Sequence, residues 1–241
     1  MDLSTPAVQA ATRFYGELLG WTVEKHSSPM GDSYIGKAGG HEVGGMMAPP
    51  PEQAGLPAMW TVLFYVAVDA TVAAVEQAAS KVTEPASDLP DARIAIVADP
   101  TGAMFGVISH PKATGTWLSS APGAVCWVEL LTRDPAAAID FYARVFDWNA
   151  STGTYGDVCY TTFGLGGEDV AGAMMMPDEV PVEAPAQWSV CFAVEDCAAA
   201  ERQEEELTGL VAKSTTPAGE GRFAVVADPQ GATFQLMDQV H

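Results

Sequence analysis

Residues 92–108 read ARIAIVADPTGAMFGVI, and residues 221–237 read GRFAVVADPQGATFQLM. Nine of the 17 positions are identical. Both segments carry two apolar runs joined by Asp-Pro-x-Gly, a tight-turn sequence. Proline presets φ at the second position, aspartate bonds backbone amides close by, and glycine relieves the fourth. Each segment therefore predicts a β-hairpin. Upstream of the hairpins, WTVLFYVAVDA at 60–70 is echoed by WSVCFAVEDCA at 188–198, and FYGELLGW at 14–21 returns as FYARVFDW at 141–148. The offsets run from 127 to 129 residues, so a single stretch of nearly that length is duplicated. Between the copies lies SHPKATGTWLSSAPGA at 109–124, polar and rich in Gly, Ser, Pro and Thr, as a linker is. The expected boundaries are a first domain over 1–112, a linker over 113–123 and a second domain over 124–241.

Each copy presents the same elements in the same order. A short strand opens it, VCWVELLT at 125–132, of which DLST at 2–5 is the remnant in the first copy. A helix follows, over 6–20 and 134–148; Ala138, Phe141, Tyr142 and Val145 keep the spacing of a core-facing stripe. Gly-broken apolar segments then predict strands joined by Gly-Gly turns. The second half repeats the plan, with strands at 63–69 and 190–196, alanine-rich helices at 70–82 and 196–209, and the closing hairpins. This is a β-α-then-antiparallel-β module occurring four times, which predicts α+β rather than a parallel α/β sheet.

Composition narrows the function classes. The 241 residues carry 31 acidic and 11 basic side chains, a formal net charge of −20, with 48% hydrophobic residues. That apolar share is far above that of a disordered acidic tail. Such a charge repels phosphate backbones and anionic lipid, which argues against nucleic acid and membrane surfaces as partners. The charge is uneven: residues 1–120 hold 6 basic and 12 acidic side chains, and residues 121–241 hold 5 and 19. Anionic ligands are thus disfavoured most strongly by the second copy. Glu195, Glu201, Glu204 and Glu205 read as the solvated face of an alanine-rich helix. Cys126, Cys159, Cys191 and Cys197 lack CxxC spacing and read as buried thiols of a reducing compartment. No run approaches membrane-spanning length and the N-terminus lacks a signal-peptide pattern, so the cytoplasm is the expected location.

Four βαβββ modules, with FYGELLGW-like helix ends and DPxG hairpins, resemble the vicinal oxygen chelate superfamily: glyoxalase I, extradiol dioxygenases and the bleomycin- and fosfomycin-resistance proteins. The resemblance covers nearly the whole chain and is narrowest for the two-domain glyoxalase-like proteins often labelled hydroxylases. It implies two tandem half-barrel domains with a ligand held inside each cup. It also implies that a metalloenzyme of the family would hold a divalent ion with His, Glu or Gln on the first and last strands of paired modules. Aligned on the family, those positions are Trp127, Ser189 and Gln235 in the second copy. In the first they are Leu63 and Gly106, with no residue at the opening position. Gln235 alone could coordinate well. His26 and His110 fall in loop-like stretches, His41 in GGHEVGG beside Glu42, and His241 at the end. The expected state is metal-free, with a divalent metal as the weaker alternative.

What remains to line the second cup is Trp127, Glu129, Met174, Trp188, Ser189, Cys191 and Gln235: an apolar, ring-stacking wall with a few polar points, suited to a small aromatic or neutral organic molecule. The first cup offers Asp2, Met47, Tyr65 and Leu63, with open space at Gly106. Asp2 and Glu129 are repeat equivalents. An unpaired carboxylate facing an apolar cup would act as a general base, which makes Glu129 the candidate catalytic residue. Binding a backbone amide or an arginine, for which Arg93 and Arg222 are repeat-equivalent candidates, would make such a carboxylate structural instead. The three expectations are a metal-free binding protein, a metal-independent enzyme using Glu129 on such a ligand, and a metal-dependent lyase or dioxygenase. The chain is expected as a monomer, its two halves forming an internal pseudo-dimer, or as a homodimer.

Overall fold

The computed structural model describes residues 1–28, 31–53, 55–111, 119–155, 158–178, 180–218 and 221–239. Residues 113–118 of the expected linker, and His241, lie outside the described residues. The elements follow in four rounds. The first is β1 (Asp2–Ser4), α1 (Val8–Leu19), β2 (Thr22–Ser28), β3 (Gly31–Ala38) and β4 (His41–Met47). The second is β5 (Met59–Thr61) and β6 (Leu63–Tyr65), then α2 (Val68–Gln77), β7 (Lys81–Asp88), β8 (Arg93–Ala98) and β9 (Met104–Ser109). The third is β10 (Val125–Thr132), α3 (Pro135–Phe146), β11 (Asn149–Tyr155), β12 (Val158–Leu165) and β13 (Glu168–Met175). The fourth is β14 (Gln187–Ala193), α4 (Cys197–Glu206), β15 (Leu210–Ala218), β16 (Gly221–Ala227) and β17 (Thr233–Gln239). The fold is α+β, with four βαβββ modules.

Two compact units emerge, and they partition the chain differently from the repeat. One takes residues 1–61, 117–127 and 190–241; the other takes 62–116 and 128–189. Each thus combines one module from each copy. In the first unit a five-stranded sheet has the order β2-β3-β4-β1-β5, with β1 parallel to β4 and antiparallel to β5. The same unit holds the antiparallel run β15-β16-β17, with β17 parallel to the end of β14. The second unit holds a four-stranded sheet, β6-β9-β8-β7, and the run β11-β12-β13-β10, in which β10 lies parallel to β13.

Local sequence accounts for most boundaries. Gly39-Gly40 and Gly166-Gly167 have φ of 57°, 84°, 64° and 94°, the left-handed values that two-residue hairpin loops demand. In α3, Pro135 sits in the first turn and Asp134 caps the helix, accepting from the Ala137 amide at 3.0 Å. Asp196 caps α4 likewise, through Ala199 at 3.0 Å. The first-copy helices α1 and α2 begin at Ala7 and Ala67, without a side-chain cap.

Three expectations are corrected. The strand read over 63–69 is shorter: β6 ends at Tyr65, the Val66 amide still bonds the Ile108 carbonyl, and α2 already starts at Val68. Strands β7 and β15 were not legible: both are polar outer strands carrying a proline, without the apolar alternation that marks a buried face. His26 lies within β2, exposed, not in a loop. His41 opens β4 beside the Gly39-Gly40 turn and is exposed. No helix among the described residues is long and apolar enough to cross a membrane.

Candidate functional site

The three repeated motifs converge on one buried arrangement in each unit. In the first unit the Tyr15 hydroxyl donates to Asp228 Oδ2 at 3.0 Å and accepts from Trp60 Nε1 at 2.9 Å. In the second, the Tyr142 hydroxyl donates to Asp99 Oδ2 at 3.1 Å and accepts from Trp188 Nε1 at 2.8 Å. Tyrosine and tryptophan come from one copy of the repeat and the aspartate from the other. The second aspartate oxygen holds the DPxG turn: Asp99 Oδ1 accepts from the Thr101 and Ala103 amides, and Asp228 Oδ1 from those of Gln230 and Ala232. A residue read only as a turn former thus also anchors a helix. Trp21 stacks on Tyr15 and Trp148 on Tyr142, with ring centroids 5.5 Å apart in both. Burial, and then the facing aspartate, push both tyrosine hydroxyls well above their ordinary pKa. Both tyrosines are therefore neutral donors at any physiological pH.

Around this shared arrangement the units differ. Glu204 of α4, expected on the solvated face, is fully buried, and neither carboxylate oxygen has a hydrogen-bond partner. Burial, reinforced by nearby Asp228, pushes its pKa up to about 8, against the smaller pull of the Leu210 amide, which lies near the carboxylate but outside hydrogen-bond geometry. Asp228 is itself raised by burial, against the pull of its amide donors and Tyr15. The signal was present in the spacing: Cys197, Ala200 and Glu204 form the buried stripe of α4. The repeat equivalent of Glu204 is Val75, buried in the second unit. Gly209 makes the room, since a Cβ there would lie 1.8 Å from Glu204 Oε1. Its counterpart beside Val75 is Ser80.

The residues expected to line the cups fall as follows. Asp2 and Met47 share one face of the β1–β4 pair, where Asp2 is in register with Gly45 and Ser4 with Met47. Glu129 and Met174 repeat this on β10 and β13, through Glu129–Gly172 and Leu131–Met174. Cys191 and Gln235 are register partners, both buried. Trp127 lies in the first unit with them, half-buried; Glu129, also half-buried, and Ser189, buried, belong to the second. Trp188 is buried in the second unit's aromatic core, its indole committed to Tyr142. Tyr65 is exposed at the end of β6, in register with Ile108.

The space expected at Gly106 is not open. Leu63 is its register partner, and a Cβ on Gly106 would lie 2.3 Å from Leu63 Cδ2, so leucine fills the position. Arg93 and Arg222 are engaged with carboxylates of neighbouring strands and helices. Arg93 bonds Asp69 at 2.9 Å and Asp88 at 2.7 Å, while Arg222 pairs with Asp238 and approaches Asp196. Among the thiols, Cys191 and Cys197 are buried as expected, but Cys126 is half-buried and Cys159 exposed.

Among the described residues no three His, Cys, Asp or Glu side chains converge to hold a metal ion. At the family-aligned positions stand Trp127, Ser189, Gln235, Leu63 and Gly106, of which Gln235 alone carries a good metal donor.

An α+β scaffold of two βαβββ modules, duplicated once to give four, defines the class. Residues 1–107 and 125–236 match the model of the Glyoxalase/Bleomycin resistance protein/Dioxygenase superfamily, and the chain belongs to that family. It is 34% identical to the anthracycline biosynthesis protein DnrV of Streptomyces peucetius, over 98% of this chain and 91% of that one. Its identity to CFP32 of Mycobacterium tuberculosis is 33%, over 98% and 92%. Solved structures of like fold include a Mn(II)-bound glyoxalase from Novosphingobium aromaticivorans, at a TM-score of 0.64 and 16% identity, covering 100% of this chain and 81% of that one. The 2,3-dioxygenase LapB of Pseudomonas sp. KL28 superposes at 0.66 with 14% identity, over 100% and 91%. At such identities these two establish fold alone.

Proposed function

We propose that this protein binds a small aromatic or neutral organic molecule in secondary metabolism or detoxification, without a bound metal ion. The carrying observation is the 34% identity, over 98% of this chain and 91% of that one, with a protein named for anthracycline biosynthesis. Two features of this chain agree with that reading. The carboxylate-and-methionine strand face recurs, as Asp2 with Met47 and as Glu129 with Met174, joining a polar point to an adaptable apolar surface. The second copy concentrates negative charge, which disfavours anionic thiol-peptide adducts. We propose further that it acts in the cytoplasm, as a monomer or a homodimer.

Calorimetric titration of the purified chain with a neutral anthraquinone and with S-lactoylglutathione tests the proposal. Saturable binding of the first and none of the second is expected. Failure of every planar neutral compound in a panel, or one bound transition metal per chain on elemental analysis, would overturn it. Glu129→Gln separates binding from acid–base chemistry, because a pure binder keeps its affinity and has no turnover to lose.

A further inference from the structure

The first unit holds a pair of cysteines that no part of the proposed function uses. The Ala193 amide donates to the Ala124 carbonyl and the Gly123 amide to the Ala193 carbonyl, both at 2.8 Å, which joins the start of β10 to the end of β14. Two residues inward along each antiparallel strand stand Cys126 and Cys191. Alternation of side chains puts them on one face. Their sulfurs are 3.5 Å apart, and Cys126 Sγ is equally close to the Cys191 carbonyl oxygen. A disulfide needs about 2.05 Å between sulfurs, so side-chain rotation closes the gap without moving either strand far. Cys126 is half-buried and within reach of a small molecule, whereas Cys191 is buried behind it.

We propose that Cys126 and Cys191 form a reversible redox dithiol, oxidised to an intramolecular disulfide by low-molecular-weight disulfides. Cys126 gives its proton to solvent and its thiolate attacks one sulfur of the oxidant. The oxidant's S–S bond breaks, one thiolate leaves and takes up a proton, and a mixed disulfide remains on Cys126. Cys191 then loses its proton and attacks the Cys126 sulfur, expelling the second small thiol. Two protein thiols are oxidised, one small disulfide is reduced to two thiols, and the protons balance.

The environment favours this order of events. The hydrogen-bonded pairing with Cys191 at 3.5 Å holds the Cys126 thiol below its ordinary pKa, against the effect of burial, which makes Cys126 the nucleophile. Cys197 shows the contrast: burial raises its thiol, whose sulfur bonds Thr215 and the Leu236 carbonyl. The device belongs to one copy of the repeat, since Leu63 stands where Cys191 does. Because Cys191 is in register with Gln235, the bond would form beside one of the buried polar side chains expected to meet ligand. In a reducing compartment such a disulfide is transient, as redox-sensing pairs are.

The test uses the full chain carrying Cys159→Ser, which removes the exposed thiol, incubated with glutathione disulfide and analysed by intact mass and peptide mapping. The expected product has lost two hydrogens, links Cys126 to Cys191, and reverts with dithiothreitol. With Cys191→Ser added, glutathione should accumulate on Cys126; with Cys126→Ser, neither product should form. Retention of both free thiols, a bond involving Cys197, or stable glutathione on Cys126 while Cys191 is intact would each overturn the proposal.

Discussion

The two compact units solve one packing problem with different side chains. Both bury a tyrosine between an indole donor and an aspartate acceptor, ringed by aromatic residues. Beside that arrangement the first unit places Glu204 against Gly209 and the second Val75 against Ser80. On the neighbouring strand pair the first has Cys191 with Gln235, and the second has Leu63 folded over Gly106. In the second unit an apolar group fills the space and the shared polar triad is satisfied. Among that unit's described residues only the small Ser80 hydroxyl beside that group is buried without a hydrogen-bond partner. The first keeps an uncompensated carboxyl in its core and a buried amide side chain on its strands. Polar groups buried at an energetic cost are where function is to be sought, because packing alone would have replaced them.

The largest expected effect follows from Glu204. Its folded-state pKa of about 8 stands above the ordinary 4.5. Its protonated form therefore suits the folded state. The associated stability is complete below pH 4.5, falls as pH rises, and is lost once pH passes 8, about 5 kcal/mol in all. Denaturant midpoints measured between pH 5 and 9 should decline steeply for the natural chain and much less for Glu204→Val. Equal slopes would show that the acid is not the source of the difference. Next in size are Tyr15→Phe and Tyr142→Phe. Each leaves a buried indole N–H and one aspartate oxygen unpaired, a loss of about 2–4 kcal/mol by urea denaturation. Comparable losses would show that the shared triad is equally important in both units, whereas a large inequality would break the comparison.

A smaller effect tests the volume exchange. Gly209→Ser alone should destabilise by about 1–3 kcal/mol, because its Cβ meets the Glu204 carboxylate. Combined with Glu204→Val, it recreates the second unit's pair, and most of that loss should disappear in a double-mutant cycle. The smallest concerns helix ends. Gly20 and Asp147 are repeat equivalents, both left-handed, with φ of 67° and 57°. Asp147→Gly should raise thermal stability by about 0.5–1 kcal/mol, because glycine adopts that conformation without steric cost.

Much of the fold was legible because its signals are local. The hairpins, the Gly-Gly turns, the stripe of α3 and the Asp caps each depend on residues within a few positions of one another. The strands missed, β7 and β15, lie outermost in their ladders, where burial imposes no alternation. The site was less legible. Glu204 was misread because composition was weighed above spacing in a helix of alanines and acids. Gly106 was misread because a glycine shows where room exists but not which neighbour enters it; Leu63 does.

The sequence by itself determined the duplication, the four-module α+β order, the family, the acidic second copy and the residue types available for chemistry. Only the tertiary structure decided which copies meet. Tyr15 bonds Asp228 and Tyr142 bonds Asp99, so each unit is completed by an aspartate from the other repeat. The physical reason is that near-identical motifs carry no information about which copy they pack against. That choice rests on long-range burial of rings and hydrogen bonds, which links residues 213 and 43 positions apart.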